Sequence, residues 1–447
     1  MHPTADRVAS LTALENQRFA ETHPQSRQLR ERARRTMPHG VPMSWMRDLY
    51  AHDPIFVATG HGASFTDVDG HTYLDFNLAD MSLFCGFTPP PLARAVAERV
   101  AAGGQFLLPT EDAIWVAEEL GRRYGLPRWQ FTLSATVANV EAWRLARLAT
   151  GRPVVLLFDG CYHGHAEEML FTSSEHGPMP YYAGIDPAAA HRVRIVPFND
   201  PDALAAALAP GDVACVVTEP ALTNCGVVMS EPGYHAELRR LTTTHGALLL
   251  LDETHTQVCG PAGLTGRWGL APDLLVMGKS IAGGIPLGAY GMTDELAARF
   301  ERPDPGDDHT ELASGGTLFA NALSMAAARV VLSEVLTEPA YERAAALGAQ
   351  LADGIEAVAA EAGLPWRTHR LFPRSGYADG GQLPRTAADY ARDHRRDVTD
   401  LRRVYLANRG IWEAIYSAGP CASIAHTRED IDRYLTVLAE LAADLVA

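Results

Sequence analysis

Lys279 is the side chain in this 447-residue sequence that points most directly to chemistry. The 38 basic residues comprise 37 arginines and this single lysine. Arginine keeps its proton in a protein and cannot act as an amine nucleophile, whereas lysine can do both. A chain that uses arginine elsewhere should keep lysine where only an amine works. Lys279 is therefore predicted to be a nucleophile, with a chance surface lysine as the alternative.

An acid occupies a position that suits the same site. Asp252 ends the apolar run 247–251, which is predicted to be a buried strand, and a second apolar run, 274–277, leads through Gly278 to Lys279. Asp252 and Lys279 are 27 positions apart, which is about the length of one crossover unit in a parallel sheet. Both are predicted to lie at the same sheet edge, although a loop acid or helix cap would explain Asp252 alone.

Two loops of small and hydroxylated residues could hold an anion. Ser134, Ala135 and Thr136 separate the predicted strand 129–133 from the helix that follows it. Backbone N–H groups and the positive end of a helix bind phosphate, and a plain N-cap is the alternative. The loop 314–317 has the same two interpretations.

A phosphate-binding P-loop must be considered as well, because Gly278, Lys279 and Ser280 match its last three residues. The motif requires glycine at position 273, where this sequence has Asp273. A nucleotide-binding protein without enzymatic activity is therefore the less favoured alternative.

Tyr162 and His163 follow another predicted buried strand, 153–158. A metal bound by His163 and His165 would lack a third ligand at plausible spacing, so no metal is expected. An aromatic platform for a planar cofactor is favoured instead. An amine, an acid, a phosphate loop and an aromatic ring are together what pyridoxal phosphate requires, since the lysine binds its aldehyde and the acid keeps its pyridine nitrogen protonated.

The elements that position these residues alternate between short apolar strands and helices, the pattern of a mostly parallel sheet covered by helices. Functional groups in such a sheet lie at the carboxyl ends of the strands. The stretch 62–76 contains Asp69-Gly70 between alternating segments and predicts a β-hairpin. We expect three segments: 1–80 and 326–447 in one smaller domain, and 81–325 in a large cofactor-binding domain. The strands are predicted at 129–133, 153–158, 213–218, 247–251, 273–277 and 287–291.

Composition narrows the function further. The net charge of −16 argues against nucleic acid or an anionic membrane as a default partner. No apolar run is long enough for a membrane span. Six scattered cysteines without a C-x-x-C pair indicate reduced cysteine, and we expect a cytoplasmic location.

The sequence resembles the class III aminotransferases of fold type I, and most closely the branch that includes glutamate-1-semialdehyde aminomutase. The resemblance runs from about Pro38 to the C-terminus. It implies a mostly parallel seven-stranded sheet with helices on both faces, and a smaller α+β domain built from both chain ends. The matching stretches are Gly62–Phe76, Gly160–His165, Glu219–Asn224, Asp252-Glu253, Gly278–Gly284 and Gly315–Asn321.

Roles carried over by position make Lys279 the Schiff-base lysine and Asp252 the partner of the pyridine nitrogen. Thr317 would contact the phosphate of a neighbouring subunit, which implies a homodimer with shared active sites. Ser44 and Arg47 have the spacing with which the aminomutase branch holds a substrate carboxylate. The other implied cofactor-binding residues are Ser134, Ala135, Thr136, Tyr162, His163, Glu219, Asn224, Thr254, His255 and Gly316.

Several residues depart from the family pattern. The phosphate loop usually reads Ser-Gly-Thr-Glu, whereas this chain has Ala135 in place of the glycine and Val137 in place of the acid. His255 stands where the family commonly has Met or Gln near the cofactor's ring oxygen, and Thr254 replaces a valine. Ala418 falls where the aminomutase has a glutamate, which counts against amine migration within one molecule.

The expected activity is therefore a ping-pong aminotransferase that moves an amino group between an amino acid or amine and a keto acid or aldehyde. The amino donor could be a β- or ω-amino acid. An aminomutase of the glutamate-1-semialdehyde type, an epimerase or a lyase is the alternative, because these reactions use the same cofactor and scaffold.

Overall fold

The computed structural model describes residues 3–47, 52–301, 312, 314–413 and 419–447. The chain divides into two compact units. The first unit contains residues 1–89, 342–384 and 390–447, and the second contains residues 90–341 and 385–389. The predicted domain limits, 1–80, 81–325 and 326–447, stay a prediction.

The strands of the described residues are β1 Val57–His61, β2 Ser64–Asp67, β3 Thr72–Asp75, β4 Arg128–Thr132, β5 Val154–Phe158, β6 Phe171–Thr172, β7 Met179–Pro180, β8 Val193–Val196, β9 Val213–Thr218, β10 Leu248–Asp252, β11 Leu274–Met277, β12 Gly288–Met292, β13 Arg367–Thr368, β14 Tyr377–Ala378 and β15 Ile411–Trp412.

The α-helices are α1 Ala5–Thr22, α2 Pro24–Ala33, α3 Pro90–Ala101, α4 Glu111–Tyr124, α5 Ala135–Thr150, α6 Pro201–Leu208, α7 Tyr234–His245, α8 Gly263–Arg267, α9 Asp294–Ala297, α10 Ala322–Val330, α11 Glu338–Glu361, α12 Ala387–Asp393, α13 Arg396–Ala407 and α14 Arg428–Val446. Among the described residues, no helix combines the length and the apolar character needed to cross a bilayer.

The second unit is built on a seven-stranded sheet in the order β4-β12-β11-β10-β9-β5-β8. β12 runs antiparallel to both of its neighbours, and the pairs among β11, β10, β9, β5 and β8 are parallel. The predicted mostly parallel sheet is therefore confirmed. β5, β9 and β11 are buried along their full length, as their uninterrupted apolar sequences predict.

Strand β8 was missing from the sequence-based prediction. It lies at the edge of the sheet, its two middle residues are only half-buried, and one of them is Arg194. The Arg194 guanidinium forms two bonds with the Asp212 carboxylate, at 2.8 and 2.9 Å. An edge strand is less buried than a central strand and can include polar residues. It therefore lacks the continuous apolar sequence by which a buried strand is recognised.

The first unit contains the four-stranded sheet β1-β2-β3-β15. The predicted hairpin is present as the antiparallel pair β2 and β3, and Gly70 turns the chain with a φ of 93°. β15, from the C-terminal segment, pairs in parallel with β3. The core of this unit gathers apolar side chains from α1, α11, α13 and α14.

Candidate active site

Asp252 is the centre of a buried hydrogen-bond cluster in the second unit. It ends β10, and its Oδ1 accepts a bond of 2.9 Å from the backbone N–H of Thr254. Its Oδ2 lies 2.9 Å from Nδ1 of His163 and accepts a 3.0 Å bond from Nδ2 of Asn139. Three elements therefore meet at this carboxylate: the end of β10, the loop after β5 and the helix α5.

The surroundings of Asp252 keep it ionised. Burial alone would raise the pKa of its carboxyl, but the hydrogen bond and charge of His163, with hydrogen bonds from Thr254 and Asn139, outweigh burial and lower the pKa to about 2. For His163, burial lowers the pKa, whereas Cys161 and Asp252 raise it, and the result lies well above its usual value. The pair is thus a buried carboxylate beside a protonated imidazole.

Lys279 lies at the same sheet edge as Asp252. β10 and β11 are parallel neighbours with Asp252 opposite Val276, and Lys279 follows β11 at the start of a short 3₁₀ turn. The spacing of Asp252 and Lys279 in the sequence predicted this arrangement. Lys279 has a φ of 50°, a left-handed conformation that costs a non-glycine residue about 1–2 kcal/mol.

The peptide before Lys279 is held by the buried side chain of Gln257. Its Nε2 donates a 2.8 Å bond to the carbonyl oxygen of Gly278 and a 2.9 Å bond to that of Thr254. Gln257 thus joins the segment after Asp252 to the residue that precedes Lys279. Its bond to Gly278 therefore holds the carbonyl of the peptide that leads into the left-handed Lys279.

The predicted phosphate loop begins α5. Ser134 is the N-cap and accepts a bond of 3.4 Å from the N–H of Val137, while the Oγ1 of Thr136 accepts one of 3.2 Å from the N–H of His165. A Cβ placed on Gly278 would lie 3.1 Å from the backbone nitrogen of Ala135. The loop therefore packs directly against the residue before Lys279, and a side chain on Gly278 would push the two apart.

A second buried cluster follows the adjacent strand β9. The carboxylate of Glu219 accepts hydrogen bonds from the Oγ1 and the N–H of Thr223 and from Nδ2 of Asn224. The hydroxyl of Thr223 also lies 2.6 Å from Nδ1 of His255. Thr223 has one hydroxyl proton, and Glu219 takes it, so Nδ1 of His255 carries a hydrogen and donates it to Thr223.

The remaining predicted residues are less enclosed. The ring of Tyr162 is 46% exposed, and Gly316 and Thr317 lie in an exposed turn of the second unit. Ser44 and Arg47 belong to the first unit, in an exposed 3₁₀ turn where the guanidinium of Arg47 is 3.3 Å from a ring nitrogen of His39. Ala418 lies outside the described residues.

Three side chains of these clusters were not predicted from the sequence: Asn139, Thr223 and Gln257. All three are buried, and each bonds to a predicted site residue or to the residue before one. Asn139 did carry a signal, since it is a polar residue between Ala138 and Ala142 on the buried face of α5. Its partner, 113 positions away in sequence, could not be named from that signal.

The clusters fit pyridoxal phosphate. An ionised carboxylate for the ring nitrogen, an amine and a helix N-terminus for phosphate are present at one sheet edge. Nε2 of His163 is buried and has no hydrogen-bond partner among the described residues, which leaves a polar atom for a ligand to meet.

Comparison with known proteins gives a consistent result. Residues 47–364 match the model of the class-III aminotransferase family. A glutamate-1-semialdehyde 2,1-aminomutase from Sorangium cellulosum is 33% identical over 433 residues, which are 95% of this chain and 97% of that protein.

The crystal structure of a glutamate-1-semialdehyde-aminomutase from Pseudomonas aeruginosa PAO1 matches over 100% of both chains, with 39% identity and a TM-score of 0.94. A Lys-to-Ala variant of that protein was solved in complex with PMP. An omega-transaminase from Sphaerobacter thermophilus is 32% identical over 94% of this chain and 98% of that chain, with a TM-score of 0.86.

Proposed function

Because this chain belongs to the class-III aminotransferase family and uses pyridoxal 5′-phosphate, we propose that it is an aminomutase of the glutamate-1-semialdehyde type. One observation carries the proposal: the similarity to the Pseudomonas aminomutase extends over the whole of both chains, at 39% identity. The residues alone favour an aminotransferase over an aminomutase, whereas the named relatives favour the aminomutase.

When bound, pyridoxal phosphate withdraws electrons from the substrate carbon that carries the amino group. Asp252 would hold the positive ring nitrogen, because its pKa of about 2 keeps the carboxylate charged. Removing one partner of a buried charge pair costs about 3–5 kcal/mol, so this carboxylate would also retain the cofactor.

Lys279 would hold the cofactor between turnovers through Nζ, and the same nitrogen would carry the substrate proton from one carbon atom to another. Its position one strand away from Asp252 supports this role. Ser44 and Arg47 would bind a substrate carboxylate. The residues proposed to surround the cofactor are Ser134, Ala135, Thr136, Tyr162, His163, Glu219, Asn224, Thr254, His255, Gly316 and Thr317.

A ping-pong aminotransferase is the second candidate. The similarity to an omega-transaminase, at 32% identity and a TM-score of 0.86, favours it. So does Ala418, which the resemblance places where the aminomutase has a glutamate.

Turnover on a single substrate separates the two candidates. An aminomutase converts glutamate-1-semialdehyde into an isomer without a second substrate, so product should exceed one equivalent per chain many times over. A ping-pong aminotransferase given one amino donor should stop after about one equivalent and resume when a carbonyl acceptor is added. Lys279→Ala, loaded with the same cofactor, is the control and should be inactive in both assays. Arrest at one equivalent with the semialdehyde would contradict the aminomutase proposal.

We further propose a homodimer. In the second unit, Leu107 and Leu108 are each 71% exposed, and Phe106 and Leu318 are about half exposed. The segment that carries them is joined to the Thr317 turn, since Nε2 of Gln105 donates to the carbonyl of Thr317 at 2.5 Å. An apolar surface of this kind, next to the predicted intersubunit residue, suits a second copy of the chain.

Sedimentation tests the homodimer. Leu107→Asp combined with Leu108→Asp should convert the dimer into monomers and reduce cofactor retention. Leu14→Asp, at an exposed leucine of α1, is the matched control and should leave the dimer intact. A wild-type protein that sediments as a monomer at micromolar concentration would contradict the proposal. The cytoplasmic location stays a prediction.

A further inference from the structure

A cluster of metal-ligating side chains lies in the first unit, where α1 ends and where the β2–β3 hairpin turns. His23, Asp67 and His71 each place one ligand atom within 4.8 Å of those of the other two. Oδ2 of Asp67 is 3.3 Å from Nε2 of His23 and 3.2 Å from Nδ1 of His71. Asp67 and His23 are buried.

These separations match those between ligands around a tetrahedral zinc ion. Zinc binds imidazole nitrogen and carboxylate oxygen at about 2.0–2.2 Å, which places neighbouring ligand atoms of a tetrahedron about 3.3–3.5 Å apart. The contacts of Asp67 with His23 and His71, 3.3 and 3.2 Å, lie at or just below the lower limit of that range. The ligand atoms of His23 and His71 lie within 4.8 Å of each other, so a shift of one imidazole would let all three share one ion.

Two ligands already have the outer partners typical of a metal site. Nδ1 of His23 is 2.6 Å from the carbonyl oxygen of Phe19, which can only accept, so Nδ1 carries the hydrogen. In the neutral ring this leaves the lone pair on Nε2, which faces Asp67. The second oxygen of Asp67, Oδ1, accepts a 2.8 Å bond from the N–H of His71 and is held in place.

The hydroxyl of Tyr73 lies at the centre of the cluster, 2.6 Å from Nε2 of His23 and 3.1 Å from Oδ2 of Asp67, and it can donate its one proton to only one of them. In the tautomer of His71 that carries its hydrogen on Nε2, Nδ1 presents a lone pair to Oδ2 as well. One proton then faces three lone pairs, and a cation bound by Nε2 of His23, Oδ2 of Asp67 and Nδ1 of His71 would satisfy them.

The framework around the cluster is held independently. The carboxylate of Asp69, in the hairpin turn, accepts bonds of 2.6 and 3.0 Å from the N–H groups of Gln25 and Ser26 at the start of α2. The ring of Phe19 stacks on that of His23 at 3.9 Å. The side chain of His71 is 39% exposed and leaves a route for an ion to enter.

We propose that His23, Asp67 and His71 bind one divalent transition-metal ion of the zinc class and thereby fasten the end of α1 to the hairpin. Two imidazoles and one carboxylate form a ligand set that suits zinc, and cobalt and nickel accept the same donor atoms. The sequence predicts no metal at His163 and His165, and no pattern in it relates the end of α1 to the hairpin. All three ligands belong to the first unit, and none of them is a proposed cofactor-binding residue.

Metal content measured on untagged holoenzyme tests this proposal. Bound metal is removed with a chelator, the protein is dialysed against micromolar zinc, and the zinc content per chain is measured. In a second experiment cobalt replaces zinc, and its visible absorption bands above 500 nm are recorded. His71→Ala removes a partly exposed ligand and should still fold. His61→Ala removes an exposed histidine of β1 outside the cluster and is the matched control.

We expect one zinc per chain in the wild type and in His61→Ala. Losing an outer-shell partner weakens metal binding about 10- to 100-fold, so losing the ligand His71 should weaken it by at least about 100-fold. Zinc should raise the unfolding temperature of the wild type and of His61→Ala, but not that of His71→Ala. Equal zinc content in the wild type and His71→Ala, or none in either, would overturn the proposal and leave a hydrogen-bonded network without metal.

Discussion

Replacing Gln257 by leucine should loosen the turn that carries Lys279. Leucine fills nearly the same volume as glutamine but has no N–H group. The carbonyl oxygens of Gly278 and Thr254, which Gln257 contacts at 2.8 and 2.9 Å, would lose this donor inside the protein. The left-handed backbone of Lys279 would lose one of the contacts that stabilise it.

The size of the effect follows from the burial of Gln257, which is 2% exposed. The carbonyl oxygen of Gly278 would keep a 3.4 Å bond from the N–H of Ile281, so the loss falls mainly on the carbonyl of Thr254. Leaving one buried acceptor unpaired costs about 1–3 kcal/mol, and we expect a net loss of about 2 kcal/mol. For a unit of this size, 1 kcal/mol corresponds to about 2–4 °C, so the unfolding temperature should fall by about 4–8 °C.

Two assays check this expectation. Thermal unfolding at one scan rate gives the stability, and dialysis of the holoenzyme gives the half-time of cofactor release, which should shorten. Gln257→Glu keeps the shape but replaces the donor by an acceptor. It should be the less stable variant at neutral pH and should recover partly as the pH falls, because a protonated carboxyl can donate one hydrogen bond.

The matched control is Gln17→Leu, at an exposed glutamine of α1 whose side chain contacts Glu21. Surface changes of this kind usually alter stability by less than about 0.5 kcal/mol, so the unfolding temperature should stay within about 2 °C of the wild type. If Gln257→Leu unfolded and released the cofactor as the wild type does, the proposed support of Lys279 by Gln257 would be refuted.

Three further predictions concern other buried groups. The pKa of Asp252 is lowered from 3.8 to about 2 in the folded protein. Its ionisation therefore stabilises the fold by about 2 kcal/mol above pH 4, and this contribution is lost as the pH falls towards 2. Urea unfolding at a series of pH values should show that the stability of Asp252→Asn approaches that of the wild type only in acid. In the wild type, both carboxylate oxygens of Glu413 lie 3.0 Å from Nε of the buried Arg402. Glu413→Gln leaves the charge of Arg402 unpaired and should destabilise the first unit by about 3–5 kcal/mol. Arg402→Met combined with Glu413→Leu removes both charges and should recover much of that loss in the same unfolding assay. Thr223→Val removes the hydroxyl that holds His255, and fluorescence titration should show cofactor affinity reduced about tenfold; an unchanged affinity would argue against a role for Thr223.

Much of the large sheet could be predicted because its signals are local. β5, β9 and β11 contain continuous apolar runs of four or five residues, and such runs between helices indicate parallel strands buried on both faces. Since parallel strands end at one edge, the placement of Asp252 and Lys279 followed from the sequence without knowledge of any contact. β8 was missed because an edge strand with Arg194 in its middle has no such run.

The partners of the site residues could not be predicted in the same way. Asn139 meets Asp252 across 113 positions, and Gln257 meets Gly278 across 21. A side-chain hydrogen bond depends on distances of a few tenths of an ångström, and no periodicity in the sequence encodes those. The sequence shows that His255 departs from the family pattern. Its bond to Thr223 depends on the pairing of β9 with β10, which brings the segments after these strands together.

Residue type and short-range pattern were enough to indicate the lone amine of Lys279, the acid one crossover before it, the sheet that aligns them and the family resemblance. Only the fold decided how Asp252 stays charged, how Gln257 contacts the residue before Lys279, and how His23, between α1 and α2, meets Asp67 and His71 at a hairpin turn. These properties depend on groups distant in the chain being brought within hydrogen-bond range and out of water, which only the folded packing achieves.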